Sequence, residues 1–207
     1  LSVRFTGRNQ FINNQAIFDE IHERSISVSI NQGSFGGSLY IIQESEEKYE
    51  LSNLVFRNSN SNNYGGAIGI NCFDDENLFS KMFIDINNCY FSNCTSNYGG
   101  SICSTIEGTI NVNGCRFFDG KAVNGSDIYC IDSTTETPSV LNVGNCVFAN
   151  SHATSTGGSI FCISGSVTVD NSNFSKCTAD KEATVIYLSA YSKTSLENNH
   201  IEVDNKQ

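Results

Sequence analysis

Residues 88–103 read NCYFSNCTSNYGGSIC, residues 114–131 read GCRFFDGKAVNGSDIYCI, and residues 145–163 read NCVFANSHATSTGGSIFCI. Three near-copies in succession mean that one structural unit is stacked on versions of itself. Aligning on the phenylalanine of each copy extends the series to Phe11, Phe56, Phe91, Phe117, Phe148 and Phe174, with Ile201 as the final member, at spacings of 45, 35, 26, 31, 26 and 27 residues. A minimal unit of about 26 residues, lengthened in some copies, is the pattern of a solenoid with loops inserted on its turns.

The columns of this alignment are specific. Seven and five residues before the anchor stand Ile84 and Ile86, Ile110 and Val112, Leu141 and Val143, and Val167 and Val169. Asp85, Asn111, Asn142 and Thr168 separate them, an alternation that marks strands with one face inward. Three residues before the anchor come Asn53, Asn88, Asn145, Asn171 and Asn198, interrupted by Gly114 and Arg8. Asparagine tolerates the left-handed conformation of a tight corner, and stacked copies can bond one another as an amide ladder.

A second polar column, Asn13, Asn58, Asn93, Asp119 and Asn150, follows the anchor by two residues. Farther on comes a glycine corner and another strand: Gly65-Gly66-Ala67-Ile68, Gly99-Gly100-Ser101-Ile102, Gly125-Ser126-Asp127-Ile128 and Gly157-Gly158-Ser159-Ile160. Glycine there serves positive φ or close approach of backbone between rungs. The expected fold is all-β, a parallel β-helix of about three strands per coil, forming one domain over residues 1–207.

FSNCTSNYGGSI and FANSHATSTGGSI resemble the Phe-x-x-Asn and Gly-Gly-Ala-Ile repeats of chlamydial polymorphic outer membrane proteins, and of protist and bacterial surface proteins with pectin-lyase-like β-helices. The likeness covers roughly residues 50 to 190 and implies a right-handed coil and a surface location. The spacing here is usually Phe-x-Asn, as in Phe56-Arg57-Asn58, and the longer form fits only Phe11-Ile12-Asn13-Asn14.

Twelve basic against 22 acidic residues give a net charge of −10, opposite to the footprint of a nucleic-acid binder. No apolar run reaches the roughly 18 residues of a membrane-spanning helix. The chain starts at Leu1 with no signal-like segment, so a mature or excised portion of a longer precursor is expected.

The nine cysteines fall into columns: Cys89, Cys115 and Cys146 two residues before the anchor, and Cys130 and Cys162 after the glycine corner with Cys103 close by. Such spacing is solenoidal and does not suit a zinc site. Stacked rungs are about 4.8 Å apart, so both buried reduced thiols and disulfides stay open, and the odd count leaves at least one thiol unpaired within the monomer. Acceptor sequons stand at Asn93-Cys94-Thr95, Asn124-Gly125-Ser126 and Asn173-Phe174-Ser175, which with the cysteine usage and the resemblance points outside the cell.

Catalytic chemistry finds little support. Glu50 and Asp85 fall on successive coils and could form a glycosidase pair, but a solvated strand face is the better explanation. Arg116 and Lys121 are isolated bases, His22, His152 and His200 lie in separate coils, and Ser151 and His152 alternate faces, so no triad is expected. The acidic runs Glu44-Ser45-Glu46-Glu47 and Asp74-Asp75-Glu76 carry oxygen ligands without a calcium-loop spacing. No catalytic set, cofactor or metal is therefore predicted.

The leading expectation is a non-enzymatic surface protein, an adhesin segment or structural scaffold, whose insertions at 14–34, 43–50, 71–82 and 132–139 contact a protein or glycan partner. A polysaccharide lyase or hydrolase is the first alternative. The second is a filament subunit associating end to end through uncapped coil ends.

Overall fold

The computed structural model describes residues 3–5, 10–12, 36–41, 48–70, 82–105, 108–132, 139–163, 165–189 and 193–202. Every strand pairing among them is parallel, and partners come from successive coils of about 27 residues. Sheet I stacks Val3–Phe5, Lys48–Ser52, Met82–Asn87, Gly108–Asn113, Val140–Gly144, Ser166–Asp170 and Thr194–Glu197. Sheet II stacks Gln10–Ile12, Val55–Arg57, Tyr90–Ser92, Arg116–Phe118, Val147–Ala149, Asn173–Ser175 and His200–Glu202.

A short sheet III holds Lys121–Asn124, His152–Thr156 and Thr178–Ala179. Sheet IV holds Leu39–Ile41, Ile68–Ile70, Ile102–Ser104, Ile128–Ile131, Ile160–Ile163 and Ile186–Leu188. The three strands expected per coil are sheets I, II and IV. Sheet III is additional, formed where the arc between anchor and glycine corner straightens enough to pair.

The register follows the anchor alignment residue for residue: Phe11, Phe56, Phe91, Phe117, Phe148, Phe174 and Ile201 are successive partners in sheet II. From Phe56 to Phe174 the rings are fully buried and stacked at 4.6–4.9 Å with planes within 6°. Identical side chains at one rung spacing fall naturally into this offset-stacked geometry. Around the ring file, Leu51, Ile86, Val112, Val143 and Val169 of sheet I and Leu39, Ile68, Ile102, Ile128 and Ile160 of sheet IV complete the interior.

From Phe56 to Phe174 each coil turns twice through a left-handed residue, most often asparagine, with Gly114, Asp119 and Lys176 the exceptions. Asn53, Asn88, Asn145, Asn171 and Asn198 have φ between 48° and 59°, as the corner requires, and Gly114 has φ 63°. Their amides do not bond one another in a straight file. Asn145 Nδ2 donates to Asn113 Oδ1 at 2.8 Å and Asn198 Nδ2 to Asp170 Oδ1 at 3.3 Å, because the left-handed turn carries the amide over the last residue of the preceding rung's sheet I strand. Straight bonds along the axis occur elsewhere, from Asn93 Nδ2 to Asn58 Oδ1 and from Asn142 through Asn111 to Asp85, all at 2.8 Å.

The glycine corner divides its labour between two positions. The first residue is left-handed, at Gly36, Gly65, Gly99, Gly125, Gly157 and Ala183. The second lies against the next rung: a Cβ on Gly100 would press into the Ser126 carbonyl oxygen and stand 2.8 Å from that of Lys121. Among the described residues no helix is long and apolar enough to cross a membrane, which leaves crossing by strands untouched.

Candidate functional site

From the sheet II phenylalanine to the first residue of the sheet IV strand the chain keeps almost one length, as from Phe91 to Ile102, Phe117 to Ile128, and Phe148 to Ile160. The connection from sheet IV to the next sheet I strand does not. It runs over residues 42–47, 71–81, 105–107, 132–139, 164–165 and 189–193 in successive coils. Past the first coil, whose insertion at 14–34 lies outside the described residues, length variation therefore emerges along one edge of the rod.

The expected insertions are trimmed by the strands that bound them. Lys48–Glu50 belong to sheet I and Met82 is a buried sheet I residue, so 43–50 and 71–82 each overran into a strand. The 132–139 loop is tied at its neck, where Ser139 N–H donates to Asp132 Oδ2 at 2.9 Å. The acidic runs at 44–47 and 74–76, Cys72 and His22 lie outside the described residues.

Two faces flank this edge. On the outside of sheet IV, Tyr64 stacks on Tyr98 at 5.1 Å, Tyr98 tilts against Tyr129 at 5.0 Å, and Tyr129, Phe161 and Tyr187 continue the file at 4.8–5.0 Å. Tyr40, Ile131, Ile163 and Cys103 pack into the same outer cluster. Cys103 is thus one residue out of step with Cys130 and Cys162: it pairs with Tyr129, whereas Cys130 pairs with Ser104 and Cys162 inside the coil. The alternation of a strand decides this, and closeness in sequence concealed it. No spacing rule in the sequence marked these outward tyrosines, because Tyr64 and Tyr98 precede the glycine corner while Tyr129 and Phe161 follow it.

On the other face, the outward column of sheet I runs Glu50, Asp85, Asn111, Asn142, Thr168 and Ser195. Asp85 meets Lys48 Nζ at 2.6 Å and accepts from Asn111. Partial burial pulls its carboxyl upward, but the Asn111 amide and the Lys48 ammonium prevail and hold it below its ordinary value. A glycosidase acid needs the opposite shift, since it must keep its proton until it delivers it. Arg116 and Lys121 are exposed on sheets II and III. His152 bonds Thr178 Oγ1 at 2.9 Å and lies 3.6 Å from Asp180, while its neighbour Ser151 points inward and is buried, as strand alternation requires.

The predicted sequon and cysteine positions separate by burial. Asn93 and Asn173 are exposed; Asn124 is half-buried at the end of a sheet III strand. Cys89, Cys115 and Cys146 stack inside sheet II's corner, where Cys89 N–H donates to Cys115 Sγ and the Cys115 and Cys146 thiols donate to Ile86 and Val112 carbonyls. Five of the interior cysteines, Cys89, Cys94, Cys115, Cys146 and Cys177, carry no disulfide. Burial pushes Cys94 and Cys177 up to about 11, so both remain thiols at neutral pH. In a Cys72→Ser variant, iodoacetamide is expected to label no cysteine in the native state and all eight after unfolding in guanidinium, counted by intact mass. Incomplete labelling after unfolding without reductant would instead reveal a disulfide.

Groups of three or more histidine, cysteine or acidic side chains able to hold a metal ion are not found among the described residues. No protein-family model matches the chain, and comparison with the curated proteins and with the solved structures finds no match.

Proposed function

We propose that this chain is a non-enzymatic, extracellular or cell-surface β-helix rod, whose partner contacts are made by the loops that leave it between sheet IV and sheet I. The observation that carries the reading is that, past the first coil, length variation is confined to that one edge while the remainder of each coil keeps its register. A scaffold that holds variable loops in a row can change its contacts without disturbing its core. The exposed sequon residues Asn93 and Asn173 suit a secreted location. The partner is a protein or a glycan surface.

The test replaces residues 71–81 and 133–138 by the two-residue connection Ser164-Gly165 and compares both proteins on immobilised glycans and on matrix proteins. The trimmed rod is expected to keep its circular dichroism and lose binding. Unchanged binding would defeat the proposal. Intact mass of the natural protein before and after glycan removal checks the compartment: hexose-bearing mass at Asn93, Asn124 or Asn173 is expected, and an unmodified chain would argue for an intracellular scaffold.

End-to-end association is a second reading, favoured by the last described rung. Leu196 and Ile201 are 52% and 48% exposed, whereas their partners one coil earlier, Val169 and Phe174, are fully buried. Open strand edges beside exposed apolar residues invite further pairing. Sedimentation that reports larger species with rising concentration, abolished by Ile201→Glu, is the expected result for a filament subunit. A monomer at every concentration would remove this reading.

A further inference from the structure

The interior of the fourth coil breaks the repeat at two places at once. In the column after the glycine corner, where other coils carry Ser38, Ala67, Ser101, Ser159 and Val185, this coil carries Asp127, fully buried. In the facing column, three residues after the anchor, the other coils from Phe56 to Phe174 carry Ser59, Cys94, Ser151 and Cys177, and this coil carries Gly120. A Cβ at Gly120 would collide with Asp127 Oδ1, so the glycine makes room for the carboxyl.

The adjoining rung completes the arrangement. Ser151 O–H donates to Asp127 Oδ1 at 2.9 Å, and Gly120 N–H donates to Ser151 Oγ at 3.3 Å. Asp127 Oδ2 and, on the next and previous rungs, Ser159 Oγ and Ser101 Oγ are buried and close no hydrogen bond of good geometry, although the Ser159 hydroxyl lies near enough to act on the carboxyl. The titratable groups around it are the Cys94 and Cys177 thiols and the Asp119 carboxyl, with no cation among those acting on it. A buried carboxylate with neither counter-ion nor full hydrogen bonding is costly, whereas a carboxylic acid is a small neutral polar group.

We propose that Asp127 is a proton-dependent latch: protonated, it closes the fourth coil onto the fifth, and when it ionises the coil loosens locally. Burial raises its carboxyl to about 8, with the Ser151 and Ser159 hydroxyls pulling weakly the other way. An unfolded aspartate releases its proton near its ordinary value of about 4. Between these values the native coil binds the proton and the opened coil does not, so stability falls as pH rises and levels off above pH 8.

Hydrogen exchange across pH 6 to 9, corrected for intrinsic rates, tests the latch on the full chain. Protection of the Ile128 and Cys130 amides is expected to fall about tenfold per pH unit up to pH 8, while that of Val167 and Val169 stays flat. In Asp127→Asn, which keeps the size and loses the titration, the slope should vanish. A flat wild-type profile, an equal slope in Asp127→Asn, or an equal fall throughout the stack would overturn the proposal. Should the variant fail to fold, carboxyl carbon resonances of the wild type decide: an aspartate midpoint near pH 8 supports the latch, and the absence of any midpoint above pH 6 overturns it.

Discussion

Phe117→Ala should lower the stability of the rod by about 3–5 kcal/mol, the cost of a phenylalanine-sized cavity in a core that cannot collapse around it. Two stacked pairs are lost together, with Phe91 and with Phe148, each at 4.7 Å, and each worth about 0.5–1.5 kcal/mol beyond burial. Neighbouring rungs are held at their spacing by the strand hydrogen bonds, so they cannot close the gap. Ile201→Ala, in the same column but 48% exposed, should change stability by less than about 1 kcal/mol. Guanidinium denaturation followed by circular dichroism measures both. Equal effects of the two substitutions would mean that the column does not carry the core.

Gly100→Ala is expected to be nearly as damaging, at the upper end of the roughly 1–3 kcal/mol typical of overpacking. The added methyl would strike carbonyl oxygens of Ser126, Lys121 and Cys94, backbone atoms that cannot rotate away. The rungs would have to separate there, breaking ladder bonds such as Gly100 N–H to the Gly125 carbonyl. Thr184→Ala, at the same corner position in the last complete arc, should be nearly neutral, since this coil already accepts a side chain there. Thermal melts of the two variants side by side give the comparison, and a Gly100→Ala protein melting with the wild type would refute the close-approach account.

The fold was legible because a parallel coil repeats its chemistry at each rung. Asn88, Phe91 and Gly99 each report a local requirement, and recurrence at one period ties those requirements into a register. The structure bears out that register from Phe11 to Ile201. The site was less legible for the same reason: alignment rewards what recurs, and the informative positions are exceptions. Asp127 looked like one more member of a Gly-Ser/Ala-Ile corner, and only the facing Gly120 shows that its carboxyl was given space. Likewise the outer file of Tyr64, Tyr98, Tyr129 and Phe161 crosses between two columns, so no single column contains it.

Because each coil bonds only to the coils before and after it, the stack has a defined response to tension. Force applied at its two ends loads the inter-rung hydrogen bonds one ladder at a time, and the terminal rung should peel before its neighbour feels the load. Each peeled coil of about 27 residues would release about 90 Å of contour length. Pulling on single molecules should then give a regular series of small rips, lengthened where a coil carries a long loop, and such a rod would act as an extensible tether that gives way in steps and rezips when slack.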